Sequence, residues 1–189
     1  MTFNVAEFRA NMIGDGARPN LFSVSLTFPT IASNSTAAGQ KVTFMAKSAQ
    51  LPGSTVGTVP VFYFGRELKF AGNRTFTDWT LQIINDEDFA IRNALESWSN
   101  AINQHAGNLR LLGESALNYK ADAIVTQYDK AGNTLRQYRF SGLYPQNIQG
   151  IGLDWGDPNK IEEFQVTFEY DYWTIDPTGT SKPLTGNQG

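Results

Sequence analysis

Residues 71–87 read AGNRTFTDWTLQIINDE and join a turn, an alternating strand and the start of a helix. A Gly-Asn pair supplies turn chemistry, and after it Trp79, Leu81 and Ile83 alternate with polar residues. That alternation is the period of a half-buried strand. An Asn-Asp pair at 85 and 86 then offers caps for a helix. The stretch therefore predicts a mixed, mainly β domain.

Outward from this stretch, the same alternation recurs near both ends of the chain. Residues 22–28 predict a strand with one apolar and one hydroxyl face, and residues 161–173 predict a single long strand with one aromatic and one acidic face. A hairpin is predicted for residues 122–128 and 135–140, and further strands for residues 58–64 and 67–70. If copies of the chain assemble around a channel, the candidate lumen faces are Ser23, Ser25 and Thr27 on the first strand, and Glu163, Glu169 and Asp171 on the last.

Two helices are predicted. Residues 86–105 carry an apolar seam of Ile91, Leu95, Trp98 and Ile102 at helical spacing, and Asn4 can cap a short helix over residues 5–12. Between the strands, residues 33–40 predict a flexible polar loop and residues 42–49 a returning strand.

A segment rich in Pro and Gly follows at residues 51–60 and predicts an extended, protruding loop. We expect this loop to reach a neighbouring copy, because its prolines limit the entropy lost on docking. The residues expected to make that stacking contact are Leu51, Pro52, Gly53, Ser54, Thr55, Val56 and Gly57.

These elements amount to seven or eight strands and one long helix. They predict two packed antiparallel sheets flanked by the helix, in the form of a sandwich or a partly closed barrel. At 189 residues the chain suits one domain, which we place at residues 1–175, with a flexible tail rich in Pro, Gly and Thr at residues 176–189. Such a domain leaves sheet edges that must be covered or paired with another chain.

The composition favours a protein that makes many contacts with other copies. Charged residues form 17% of the chain, against a usual share of about 25%, and charge is depleted at the centre of protein interfaces. Residues 1–60 hold four basic and two acidic groups, whereas residues 150–189 hold two basic and seven acidic ones. A subunit with this polarity favours head-to-tail association.

No arrangement typical of catalysis or cofactor binding is found in the sequence. Cysteine is absent, and the one histidine, His105, follows the predicted long helix, where it is interpreted as a capping surface residue rather than a catalytic base. The glycines at 150, 152 and 156 have the wrong spacing for a dinucleotide loop. The acidic run at 86–88 is interpreted as a solvated helix start, because consecutive positions on a helix diverge. We expect no catalytic residue, no metal and no cofactor.

Several blocks of this sequence resemble the tail tube proteins of contractile-tailed bacteriophages of the T-even type. They lie in family order across residues 17–173, and no single block is diagnostic alone. The blocks are Ala17-Arg-Pro-Asn-Leu-Phe22, Leu51-Pro52, Ala71-Gly72, Arg74-Thr-Phe76, Asp78-Trp-Thr80, Asn85-Asp-Glu87, Ala123-Ile-Val125, Gln127-Tyr128, Gly142-Leu143, Pro145, Asn147, Leu153-Asp-Trp155 and Asp171-Tyr-Trp173. The sequence departs from the family pattern in a polar insertion at residues 33–40 and in the tail after residue 175.

The resemblance implies a non-enzymatic subunit that forms hexameric rings, which stack into a hollow tube inside a contractile sheath. The implied partners are the sheath, tape-measure, baseplate hub and tail terminator proteins, with double-stranded DNA passing transiently and without sequence preference through the lumen. No small-molecule substrate is implied. The implied location is the virion tail, after assembly in the host cytoplasm. Three alternatives remain open from the sequence: a tube subunit of a type VI secretion or other contractile injection system, a monomeric carbohydrate-binding β-sandwich, and a hydrolase whose activity depends on His105.

Overall fold

The computed structural model describes residues 4–12, 14, 16–111 and 118–176. Most of the predicted tail, from residue 177 onward, lies outside the described residues. Within them the chain forms three helices and nine strands. In chain order they are α1 (Val5–Asn11), β1 (Phe22–Leu26), α2 (Ser35–Met45), β2 (Ala46–Ala49), β3 (Ser54–Tyr63), β4 (Arg66–Phe76), β5 (Trp79–Ile84), α3 (Ala90–Ile102), β6 (Ala121–Tyr128), β7 (Thr134–Ile148), β8 (Glu163–Glu169) and β9 (Tyr172–Asp176).

The main body is built from antiparallel strands in the order β1-β6-β7-β8-β5-β2, with β9 added to β7. The long strand β7 belongs to two sheets. Its first part pairs with β6 and β9, and its last part pairs with β8. The chain changes direction at Gly142, which has φ +72° and lies against the Asp171 side chain. A left-handed residue at this position bends β7 from one sheet into the other. The predicted mainly β architecture of two antiparallel sheets is confirmed.

The core lies between the two sheets and is filled by aromatic rings. Trp79 stacks on Phe140 with ring centroids 4.6 Å apart and lies 5.6 Å from Phe168. Trp98 of α3 meets Phe168 from the helix side at 6.3 Å. The predicted seam of α3 is confirmed, because Ile91, Leu95 and Trp98 are buried and Ile102 packs against them. None of the helices in the described parts of the chain is long and apolar enough to cross a membrane.

The predicted helix caps near residue 86 are wrong in detail. The helix α3 begins at Ala90, and the group that accepts from its first turn is the Asp88 carboxylate, 3.0 Å from the Ala90 amide. The Asn85 side chain instead donates to the Glu162 carboxylate at 2.9 Å. The short helix α1 is confirmed, with the Asn4 side chain accepting from the Ala6 amide.

The predicted loop at residues 33–40 and strand at 42–49 are also wrong. Residues 35–45 form the helix α2, and only residues 46–49 form a strand. Ala38 and Val42, one helical turn apart, are fully buried against β1 and α3. Gly39 comes so close to β1 that a Cβ there would lie 3.0 Å from the Leu26 carbonyl oxygen. The helix is therefore stabilised by packing that its polar composition does not indicate.

The predicted strand over residues 161–173 is two strands. β8 ends at Glu169, the chain bends at Asp171, and β9 begins at Tyr172. β8 pairs with β5 and β7, whereas β9 pairs only with the first part of β7. The bend separates the predicted aromatic face, so that Phe164, Val166 and Phe168 are buried but Tyr172 is half exposed.

Candidate assembly surfaces

Strands β3 and β4 form a separate two-stranded ribbon that leaves the body of the domain. They pair with each other from Ser54 and Phe76 to Tyr63 and Arg66, and with no other strand among the described residues. A strand of ten residues spans roughly 30 Å. The base of the ribbon is held by Trp173, whose indole donates to the Gly53 carbonyl at 3.3 Å.

One face of this ribbon is apolar and open to solvent. Register places Val59 opposite Phe70 and Val61 opposite Leu68, and Tyr63 follows on the same side. These five side chains are between 45% and 66% exposed. A two-stranded hairpin is at best marginally stable in water, and an exposed apolar face of this kind marks a contact surface.

At the tip of the ribbon the chain turns through Phe64 and Gly65, both at positive φ. Phe64 is 92% exposed and packs edge-on against Tyr63, with ring centroids 4.6 Å apart. Three basic residues, Arg66, Lys69 and Arg74, and one acidic residue, Glu67, also lie on the ribbon. We refer to residues 54–76 as the hairpin.

The segment predicted to stack, residues 51–57, lies at the base of this hairpin. Leu51, Pro52 and Gly53 connect β2 to β3, and Ser54, Thr55, Val56 and Gly57 belong to β3. The prediction of a protruding segment therefore had the right location but the wrong conformation, because residues 54–60 are a strand and not a loop. Pro60 is tolerated there since β3 has no neighbour on its outer edge.

The two predicted polar faces lie on different sheets. Ser25 and Thr27 are exposed, while Ser23 is half-buried and its hydroxyl lies 2.9 Å from the Tyr128 hydroxyl. Their strand pairs with β6, whereas Glu163 and Glu169 lie on β8 in the other sheet.

The acidic set does not form one continuous acidic face. Lys47 binds Glu163 at 2.6 Å, and the hydrogen bond from Lys47 lowers the pKa of that carboxyl. Asp171 lies in the bend beyond β8 and binds Lys120 at 2.6 Å. Glu169 accepts a hydrogen bond from the Tyr144 hydroxyl, which raises the pKa of Tyr144 to about 12.

The acidic run at 86–88 and His105, which the sequence offered for metal binding and catalysis, contact other residues of the fold. Asp86 and Asp88 both bind Lys41, at 2.8 Å for Asp86, so the acidic run, which is partly exposed just before α3, also links α2 to the start of α3. Hydrogen bonding to Lys41 lowers the pKa of Asp88. His105 is exposed beyond α3, and its amide donates to the Asn100 side chain. Within the described residues no group of three or more His, Cys, Asp or Glu could hold a metal ion.

A second exposed surface, residues 149–162, lies between β7 and β8, and we refer to it as the acidic loop. Leu153 is 80% exposed and Trp155 is fully exposed. The loop carries Asp154, Asp157 and Glu162 against one basic residue, Lys160. The Asp154 carboxylate accepts from the Gly156 amide at 2.8 Å, a local contact typical of a turn.

The hairpin and the acidic loop lie at opposite ends of the domain. Trp79 pairs with Phe168 at one end of β5, and Ile84 pairs with Glu163 at the other. The hairpin ends at Phe76, three residues before Trp79, and the acidic loop ends at Glu162, immediately before Glu163. The two surfaces are therefore separated by the length of β5, roughly 17 Å.

The sequence analysis missed the aromatic tip and the exposed tryptophan. The available indication was the placement of large apolar residues beside turn residues, at Phe62-Tyr63-Phe64-Gly65 and at Leu153-Asp154-Trp155-Gly156. Helix α1 is a third exposed surface, since it has no buried residue and exposes Val5 and Phe8, with Met12 exposed just after it.

Comparison with known proteins gives consistent matches over most of the chain. The family described as phage tail tube protein matches residues 17–176. Tail tube protein gp19 of Enterobacteria phage T4 is 37% identical over 166 residues, which cover 87% of this chain and 95% of that protein.

Two solved structures share the fold. The anti-feeding prophage cap has a TM-score of 0.60 at 21% identity, over 85% of this chain and 91% of that one. A chain of the sheath-tube complex of an extracellular contractile injection system in its extended state has a TM-score of 0.59 at 15% identity, over 93% of this chain and 99% of that one.

Proposed function

This chain belongs to the phage tail tube protein family, and from this premise we propose how its copies assemble and what the assembly conducts. The chain is a structural subunit of a phage tail tube and a component of the virion tail. The family match and the 37% identity favour this function over the three alternatives from the sequence, which are a type VI secretion tube subunit, a monomeric carbohydrate-binding sandwich and a hydrolase.

We propose that the subunits form hexameric rings that stack into a hollow tube inside the sheath. The observation that carries this proposal is the hairpin, whose apolar face is exposed in the part of the chain that the structure describes. The unpaired edges of β1 and β2 support closure into a ring, because closure pairs sheet edges that would otherwise aggregate. Stacking through the hairpin and through the predicted segment 51–57 at its base would remove the exposed apolar face from water.

We further propose a purely mechanical role without catalysis. The tube would assemble in the host cytoplasm around the tape-measure protein, between the baseplate hub and the terminator, and would later conduct double-stranded DNA. A lumen without repeated cationic sites suits this task, because such sites would hold the phosphate backbone and retard passage. Ser23, Ser25 and Thr27 remain one candidate lumen surface. Glu163, Glu169 and Asp171 remain the other, as separate sites rather than one strip.

The lumen assignment can be tested in assembled phage. One variant carries lysine in place of Ser25 and Thr27, and the other carries lysine in place of Glu163 and Glu169. Whichever of the two surfaces lines the lumen would then present rings of phosphate-binding lysines to the DNA. We expect phage with lysines on the lumen surface to release the genome more slowly, in a salt-dependent way. Phage with lysines on the exterior surface should release DNA at the normal rate. Normal release from both variants, with normal tubes, would contradict both assignments.

Ring formation itself is tested by electron microscopy of the purified protein at high concentration, with baseplate added as an initiator. We expect rings or tubes with sixfold symmetry. A strictly monomeric protein under all of these conditions would contradict the proposed assembly.

A further inference from the structure

We propose that the basic, aromatic hairpin of one subunit docks on the acidic loop, residues 149–162, of a second copy of this chain. This inference rests on the proposed stacking and names the surface that receives the hairpin. It follows from the position, the apolar character and the charge of the two surfaces.

Position favours this contact between two copies over a contact within one copy. The hairpin leaves the domain at the Trp79 end of β5, and the acidic loop lies at the Ile84 end. The hairpin points outward, with its base fixed by the Trp173 indole at Gly53 and by the Tyr170 hydroxyl at Thr77. Copies that stack head to tail bring these two ends together, and repetition of the same contact gives an open-ended assembly.

Both surfaces expose large apolar groups that have no role in their own core. The hairpin ends in Tyr63 and Phe64, and the acidic loop presents Leu153 and Trp155. Aromatic anchors of this kind dominate the energy of protein interfaces, because they bury a large area with few rotatable bonds. Contact between the two surfaces would cover on each subunit a group that is otherwise open to water.

The charges of the two surfaces are complementary. The hairpin carries three basic residues and one acidic residue, so its net charge is +2. The acidic loop carries three acidic residues and one basic residue, so its net charge is −2. Opposite net charge steers the correct pairing, and like charge disfavours contact between two hairpins or two loops. Head-to-tail stacking is thereby favoured over head-to-head stacking.

Cross-linking tests the contact directly, because the chain has no cysteine. Glu67→Cys places a thiol on the hairpin, and Asn159→Cys places one on the acidic loop, with the apolar groups of both surfaces retained. His105→Cys is the matched control, an exposed site beyond the C-terminus of α3. The variants are mixed in pairs under conditions in which the unmodified chain assembles, treated with a short bis-maleimide, and examined by gel and by microscopy.

We expect the hairpin and loop variants together to give about tenfold more covalent dimer than the hairpin and control variants, because docking raises the effective concentration of the two thiols. If tubes form but the two mixtures give equal yields of covalent dimer, or the mixture with the control variant gives more, this inference is refuted and the tube function stays intact. Preferential dimer without tubes would support the contact and contradict the tube function. The absence of both tubes and preferential dimer would contradict both.

A charge exchange provides an independent measurement. Asp154→Lys with Asp157→Lys should raise the critical concentration for polymerisation about tenfold, since the loop would then repel the basic hairpin. Adding Arg66→Glu with Lys69→Glu should restore polymerisation. The control, Glu7→Lys with Glu96→Lys, changes the net charge by the same amount as the loop variant outside both surfaces. If the combined variant does not regain polymerisation while the control assembles normally, the proposed contact between the hairpin and the acidic loop is overturned.

Discussion

Replacement of Gly142 by alanine should destabilise the subunit through the bend that joins the two sheets. Gly142 has φ +72°, and an added Cβ would lie 2.7 Å from the Asp171 Cγ and 3.3 Å from its Cβ. The left-handed conformation costs alanine about 1 kcal/mol. Moving the Asp171 carboxylate away from Lys120 adds at most about 1 kcal/mol, because the pair is partly exposed. The expected total is about 2 kcal/mol, or a melting temperature lower by about 4–8 °C.

Gly132 provides the matched control, since it has φ +85° and nothing within 4 Å of an added Cβ. Gly132→Ala should cost only the conformational part, about 1 kcal/mol, or about 2–4 °C. In an Asp171→Ala background, Gly142→Ala should lower the melting temperature by less, close to the decrease caused by Gly132→Ala. Thermal unfolding of the unassembled subunit, followed by circular dichroism, measures all four variants. Equal losses at Gly142 and Gly132 in the parent background would refute the contact between the bend and Asp171.

Three further predictions concern the core, a titrating group and the hairpin tip. Trp98→Ala should lower the free energy of unfolding by about 3–5 kcal/mol in urea titrations, since the ring is fully buried. The hydrogen bond from Tyr144 to Glu169 should contribute stability that is fully present below pH 10 and is lost as the pH rises towards the folded pKa of Tyr144, about 12. Absorbance titration of the Glu169→Gln variant should show a lower pKa for Tyr144. Phe64→Asp should leave the melting temperature of the free subunit unchanged but raise the critical concentration for assembly about tenfold.

The strands of the two sheets were predictable because one face of each is buried. In β1, β5 and β8 the buried side chains recur at every second residue, and in α3 at every third or fourth, so that the two periods are distinct. Such patterns depend only on which side of an element faces the core. They predicted these elements and the aromatic character of the core from sequence alone.

Features that depend on contacts distant in sequence were not predictable. The helix α2 shows only two small buried residues, Ala38 and Val42, and its position is set by β1 and α3. The break between β8 and β9 follows from the packing of Asp171 against the bend at Gly142, two positions separated along the chain. In both cases the local sequence is compatible with more than one conformation, and tertiary packing selects one.

The assembly surfaces were predictable in location but not in detail. The Pro and Gly content of residues 51–60 indicated a protruding segment, but the length of the ribbon follows from pairing with residues 66–76. Exposure of Phe64 and Trp155 could not be read from the sequence, because a large apolar residue beside a turn is equally compatible with burial.

Cryo-electron microscopy of the polymerised protein tests the central claim most directly. We expect a hollow tube of stacked hexameric rings, with density for the hairpin of each subunit extending into the next ring. A protein that stays monomeric in the presence of an initiating baseplate, or that assembles into structures without a channel, would contradict the assignment of this chain as a tail tube subunit.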